Sequence, residues 1–394
     1  MFTPKKGSNK LSSLQFASLV ATIVLLISFI GLALMRRQNP SLSVSNAKPS
    51  TTIPKPQESL PSVQVLPLPQ TTSPIDISPQ RKQESSELAY NVKTAPNFQK
   101  SDALQSIVND AVAIATVKGL PKNPLSITLI DAKTGKYAEY QQTKPRFPAS
   151  VVKMFWMVYL YAQIEKGIWN EADFIPSLTS MIQKSDNNAA SDILDKITQT
   201  ESSKILEGKE YDKWLLYRKQ INKFFQQAGY EKINVSQKAF PITNKKIYEP
   251  QGSDLKMRGD PKNPIRNKIT TQQAARLLYE IYDGQSISQV YSEKMASWLS
   301  INAATRIEKR EQQNPNEFNP VRGYLSESLP TNVNFAGKAG WTSGSRQEAA
   351  YIATPDGKAA YILVIFADDR TYAYDWKIFP KISQLVYVRM RNRK

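Results

Sequence analysis

Phe147-Pro148-Ala149-Ser150-Val151-Val152-Lys153 runs straight into Met154-Phe155-Trp156-Met157-Val158-Tyr159-Leu160-Tyr161-Ala162. A segment apolar nearly all round is a helix buried in the middle of a domain, so a central helix is expected over residues 154–166, ended by Gly167. A serine and a lysine three apart at its mouth lie on one face. A serine hydroxyl is a weak nucleophile until a neighbouring amine, held neutral by burial, takes its proton. The N-terminal end of the helix also favours an alkoxide and lowers the lysine pKa. Taken alone, Ser150 reads rather as a helix cap and Lys153 as a surface charge, since Ser is a common cap.

Two absences narrow the chemistry. The 394 residues contain no His and no Cys, which excludes a Ser-His-Asp triad, a thiol nucleophile and any Cys/His zinc site. No metal or other cofactor is expected. Hydrolytic chemistry here must run on Ser, Thr, Lys, Tyr, Asp or Glu. The net charge of +18 points to polyanionic partners. No nucleic-acid motif and no compact basic block with interleaved aromatics is present, so anionic lipid or wall polymers are expected rather than nucleic acid. A monomer is expected.

Outward from the serine, the chain divides by composition. Residues 16–35 carry no charge, and twenty helical residues span roughly 30 Å, the thickness of a bilayer core. Lys5, Lys6 and Lys10 precede this run and Arg36 and Arg37 follow it. Residues 1–15 are therefore expected on the cytoplasmic side, 16–35 as an uncleaved anchor, and the bulk outside, on the periplasmic side of the membrane. A cleaved, secreted form is the alternative. Residues 36–100 are rich in Pro, Ser, Thr and Gln without a sustained period, the composition of a disordered tether. Folded sequence is expected over 101–394.

Within that part a helix over 102–117, capped by Asp102, precedes a hairpin of strands at 125–130 and 137–141. After the central helix come helices at 187–198 and 214–227. A polar stretch over 238–268 has no periodicity, and loops of that length inside a domain are functional or mobile. A helix capped by Thr271 follows to 282 and another at 286–299, then strands at 333–341, 348–354 and 360–367, and a closing helix at 382–390. Both chain ends thus contribute strands and the middle contributes helices, which makes an α+β domain: one antiparallel sheet covered by a helical subdomain.

Two further elements carry chemistry. Ser185-Asp186-Asn187 opens the helix at 187. Either Ser185 or Asp186 caps it, or the Ser185 hydroxyl relays a proton between two lysines while the Asn187 amide holds a substrate carbonyl. Gly337-Lys338-Ala339-Gly340-Trp341 lies on a strand. Lys338 is either an exposed strand lysine or a cation that orients Ser185 and attracts an anionic substrate. The glycines let backbone approach closely, so that a peptide N–H nearby joins that of Ser150 as an oxyanion hole.

In this order, S-x-x-K, S-D-N and K-x-G resemble the signature of class A β-lactamases and penicillin-binding proteins, over roughly residues 101–394. Gly344-Ser345-Arg346 and the Pro355-Asp356-Gly357-Lys358 hairpin resemble the family's last two strands. The resemblance implies Ser150 as acyl nucleophile, Lys153 as its base, and Ser185 and Lys338 as the proton and charge bridge. It implies the Ser150 and Trp341 amides as the oxyanion hole, with Asn187, Gly340 and Arg346 contacting substrate, Arg346 through a carboxylate. Tyr248-Glu249-Pro250 resembles the family's aromatic-Glu-Pro element, which makes Glu249 the candidate deacylation base. Two features depart from the pattern. Ala339 stands where the family has Thr or Ser, and Ser185 follows Ser150 by a short interval. The expected activity is hydrolysis of β-lactam amide bonds. The alternatives are a D,D-peptidase or penicillin-binding relative acting on cell-wall peptides, and a noncatalytic wall-binding module.

Overall fold

The computed structural model describes residues 88–201, 205–312 and 318–393. The expected cytoplasmic segment, the anchor at 16–35 and most of the tether lie outside these residues. No helix among the described residues is long and apolar enough to cross a membrane.

The chain opens with β1 (Gln99–Lys100), α1 (Asp102–Val117), β2 (Leu125–Asp131) and β3 (Lys136–Tyr140). A 3-10 turn, Ala149–Val152, leads into α2 (Lys153–Glu165), followed by α3 (Ile175–Ile182), α4 (Asn187–Thr198) and α5 (Gly208–Gln226). Next come α6 (Gly252–Arg258), α7 (Thr271–Tyr282), α8 (Gln289–Leu299) and α9 (Ala303–Glu311). The closing elements are β4 (Asn334–Thr342), β5 (Ser345–Ala353), β6 (Ala360–Ala367), α10 (Arg370–Tyr374) and α11 (Ile378–Arg391). The strands form one sheet in the order β1-β3-β2-β6-β5-β4. It is mixed rather than wholly antiparallel, because the short β1 runs parallel to β3.

Strand alternation divides the core. Leu125, Ile127 and Leu129 of β2 and Leu363 and Ile365 of β6 pack with α1 and α11, while Ile362, Val364 and Phe366 face the layer built on α2 and α7. On that second side Thr128 is buried, and its hydroxyl is satisfied by Thr271 at 2.9 Å. The α2 helix is buried over Lys153 to Ile164, as its unbroken apolar run requires, and so fixes the 3-10 turn that precedes it.

Two boundaries differ from the sequence reading. The cap of α1 is Ser101, with Asp102 inside the first turn. The folded domain also begins before residue 101. Tyr90 is fully buried against Phe224, Phe225 and Tyr230, and its hydroxyl donates to Glu280 (2.8 Å). Tyr230 and Arg276 complete the shell of Glu280, at 2.6 Å each. A lone aromatic in a polar stretch carries no periodic signal, yet burying one contributes about 1.5–3 kcal/mol.

The stretch 238–268 is not a free loop. It contains α6, and its Lys238 and Asp254 meet Arg218 of α5 and Asp195 of α4 in a buried network. Arg218 binds Asp195 at 2.7 Å and Asp254 at 2.8 Å, and Lys238 pairs with Asp195. Arg218 is fully buried and its guanidinium also stacks on Trp214. This network holds the stretch against the helical layer as one wall of a cleft.

Candidate active site

The cleft, about 520 Å³, lies between that wall and the end of β4 and β5, and Ser150 stands in it. Ser150 caps nothing. The 3-10 turn begins after Pro148 and α2 after Val152, neither with a side-chain cap bond, and the Ser150 hydroxyl makes no hydrogen bond among the described residues. Ala149 before it holds φ 46°, a conformation that costs a non-glycine residue about 1–3 kcal/mol and is maintained only where the surroundings impose it.

Lys153, one turn on, is fully buried. Its Nζ donates to the Ser185 carbonyl (2.6 Å) and to Asn187 Oδ1 (2.8 Å), with Ser185 Oγ at 3.4 Å. Burial holds its pKa well below the ordinary lysine value. Lys338 adds to that shift and Asp186 opposes it. The cap of α4 is Asp186, which accepts from Ala189 N (2.7 Å). Ser185, at φ 54°, is thereby left free, and Lys338 Nζ donates to its hydroxyl at 2.9 Å. The Ser185 hydroxyl thus lies between two buried amines. Burial lowers the Lys338 pKa to about 7, against the pull of Glu348. Asn187 turns its amide nitrogen to the Phe240 carbonyl (3.0 Å), tying α4 to the opposite wall.

Gly340 explains how β4 reaches the serine. A Cβ there would lie 2.8 Å from the Ser150 amide nitrogen and 3.1 Å from the Pro148 carbonyl. Only glycine permits this approach without a shift. The strand residue after it, Trp341, lines the cleft and anchors its indole N–H on the Ala373 carbonyl (2.8 Å). Ser150, Lys153, Ser185, Asn187, Lys338, Gly340 and Trp341 therefore converge on one place.

A sequence profile decides the kinship: that of the β-lactamase enzyme family matches residues 176–390, more than half of the chain. The chain belongs to the β-lactamase enzyme family. No curated protein matches it. Among solved structures it is similar to a β-lactamase from Sphaerobacter thermophilus DSM 20745, at 18% identity and TM-score 0.48, covering 72% of this chain and 97% of that one. It is also similar to PBP-A, at 16% identity and TM-score 0.47, covering 75% and 98%. A PBP-A mutant solved as an acyl-enzyme complex with penicillin G matches at 16% identity and TM-score 0.49, covering 74% and 98%. Its fold is α+β, a mixed six-stranded sheet covered by helices.

Two expectations are corrected by the geometry. Arg346 does not face the cleft. In the β4–β5 register Arg346 opposes Trp341 and Glu348 opposes Ala339, whereas Lys338 opposes Ala349. Arg346 therefore shares the Ala339 face, behind the sheet from Lys338. It is fully buried and donates to the carbonyls of Gly323 (3.1 Å), Tyr372 (3.2 Å) and Ala373 (2.7 Å) between Tyr324 and Trp376. It joins β5 to α10, and all three of these hydrogen bonds run to backbone carbonyls on the far side of the sheet from Lys338. Arg346→Met will destabilise the protein by about 2–4 kcal/mol, the cost of leaving several buried acceptors unpaired, read as a lower urea midpoint. The acylation rate constant of the folded fraction should not change. A lost preference for carboxylate-bearing substrates at unchanged stability would return Arg346 to the cleft.

Glu249 is exposed and is not part of the cleft lining, where Phe240 and Arg258 stand instead. The lining also includes Thr342 and Ser345, whose hydroxyls are 2.8 Å apart, and Arg266 and Asp368. Apart from Ser345, which lies in the Gly344-Ser345-Arg346 motif, none of these is marked by a motif. Their signal is nonlocal, since each is brought to the cleft by tertiary packing.

Proposed function

We propose that the chain is a serine acyl-enzyme of the penicillin-binding type, acylated at Ser150 by cell-wall peptides and by β-lactams, and slow to release the β-lactam acyl group. Ser150 Oγ attacks the amide carbonyl carbon while neutral Lys153 takes its proton. The oxyanion is received by the Ser150 and Trp341 amides, which the absence of a side chain at Gly340 brings together. The C–N bond then breaks, and the proton reaches the leaving nitrogen through Ser185, held by Lys338. Asn187 positions the acyl carbonyl, and Lys338 with the Thr342 and Ser345 hydroxyls receives the substrate carboxylate in place of the hydroxyl that Ala339 lacks.

The observation that carries this over rapid β-lactam hydrolysis is the carboxylate inventory of the cleft. Among the described lining residues the single carboxylate is Asp368. Its two oxygens are engaged by the Phe147 amide (3.0 Å) and the Gln347 side chain (2.6 Å). Asp368 is thus held by its neighbours, no other carboxylate of the described lining residues faces the ester, and Phe240 forms the wall.

The test uses the full chain, a chromogenic cephalosporin and intact mass against time. The expected result is a stoichiometric burst with a lasting adduct, absent in Ser150→Ala. Fast turnover without an adduct would favour a β-lactamase, and neither adduct nor turnover would favour a noncatalytic wall-binding module. The uncharged run at residues 16–35 supports a membrane-anchored domain on the extracytoplasmic side, checked by protease accessibility in intact cells.

Acylation should follow a bell-shaped pH profile. The rising limb is loss of the Lys153 proton, at a pKa burial has pushed down. The falling limb is loss of charge from Lys338, protonated below about 7 and neutral above it. A bound carboxylate favours the charged amine and shifts that limb upward in the complex. Lys338→Met should remove the falling limb. A profile that keeps it would assign the limb to another group.

A further inference from the structure

The cleft wall opposite β4 carries two cations that the acylation chemistry does not use. Arg258 ends α6 and Arg266 follows after a tight loop, closed by the Ile265 amide donating to the Arg258 carbonyl (2.8 Å). Both line the cleft that holds Ser150. Neither has a salt bridge or a side-chain hydrogen bond among the described residues, and the buried Arg258 Nε has no partner at all. The Arg258 guanidinium lies over the Phe240 ring at 5.9 Å, beside the residue that Asn187 tethers.

The acids nearby do not neutralise the pair. Asp254 is bonded to Arg218 and lies 3.8 Å from Lys238. Glu249 acts on Arg258 only at a distance and is exposed. Burial lowers the Arg258 pKa, and the like charge of Arg266 lowers it further. A buried guanidinium donor without an acceptor costs about 1–3 kcal/mol. Two like charges facing one cleft add to that cost, and an incoming anion would offset both.

We infer that Arg258 and Arg266 form a second anion subsite, which takes a carboxylate on the acyl side of the substrate. This rests on the acyl-enzyme reading above and narrows its substrate class. The preferred acyl donors carry two carboxylates, one toward Lys338 beyond the scissile amide and one toward the arginines on the acylating portion. A planar guanidinium suits this task, because it offers a carboxylate two parallel N–H donors. No charged group is transferred in the added step. The subsite only binds and orients the group that will become the ester.

The test compares benzylpenicillin with its α-carboxy analogue, which differs by one carboxylate on the acyl side chain. Second-order acylation rate constants are measured for the native chain, for Arg266→Gln, whose site is exposed, and for Arg258→Gln/Arg266→Gln. The native chain should prefer the dianion by about 10-fold, the effect of one charge-assisted contact. The double variant should lose that preference with benzylpenicillin slowed no more than about 2-fold, and the single variant should lose part of it. A native chain with no preference, or a preference that survives both substitutions, overturns the subsite. Should neither penicillin acylate the native chain, the acyl-enzyme reading has failed on its own. Calorimetric binding of the same two compounds then decides the subsite. Tighter binding of the dianion, lost in the variants, supports it, and equal binding rejects it.

Discussion

Lys153→Met will leave the domain folded and cut acylation by benzylpenicillin by about 10²–10⁴-fold, the usual contribution of a positioned general base. The lysine is fully buried. Replacing a buried charge by an apolar side chain of similar length is often neutral for stability. Here some loss is expected, because the Ser185 carbonyl and Asn187 Oδ1 lose their donor. The measurement is adduct mass against time, paired with a melting curve. Ser150 would still be present and exposed to the cleft, so a residual slow reaction should persist with its rising pH limb gone. A variant acylated at the native rate would remove Lys153 from the chemistry and leave Ser185, with Lys338 behind it, as the base. Neither lysine is a surface charge: both are buried, burial lowers the pKa of each, and Lys338 lowers that of Lys153 further.

The parts of this molecule that sequence reasoning reads well are those with strong local periodicity. The helix Asn187–Thr198 and the strand Ala360–Ala367 coincide with their expected ends, and the helix Thr271–Tyr282 ends as expected but is capped by Thr270, with Thr271 inside its first turn. Each combines a clear apolar pattern with a cap or a turn. The α3 and α6 helices were not expected. The first, Ile175–Ile182, is short and begins at a proline turn, and the second, Gly252–Arg258, lies in a polar stretch and is held by the Arg218 network rather than by its own apolar stripe. Motif residues were legible because their spacing is local. Arg346 was misplaced for the opposite reason. Whether it shares a face with Lys338 depends on the β4–β5 register, which sets Arg346 against Trp341, and one residue of register reverses the face. Glu249 failed similarly, since an aromatic-Glu-Pro triplet states nothing about which residue the fold turns into the cleft. Arg258, Arg266 and Phe240 reach it through the wall that Lys238 and Asp254 pin in place.

That wall yields the other large expected effect. In Phe240→Glu the penicillin adduct on Ser150 will turn over about 10–100-fold faster than in the native chain, toward the lower part of the range for general-base catalysis. Phe240 lines the same cleft as Ser150, and its carbonyl is held by Asn187, the residue that also accepts from Lys153. A carboxylate in place of the ring would stand in the acylation cleft away from the Phe147 amide and Gln347 side chain that engage Asp368. Its closest cation would be Arg258, now stacked on the ring. An ion pair with Arg258 would keep the new carboxylate charged while competing for its lone pairs. The rate gain should therefore be larger when Arg258→Gln is added, and deacylation should fall off at acid pH as the carboxylate is protonated. The reading is adduct decay by intact mass after excess penicillin is removed. An adduct that persists unchanged in both variants would mean that ester lifetime is set by the exclusion of water from the acylated cleft, not by the missing base.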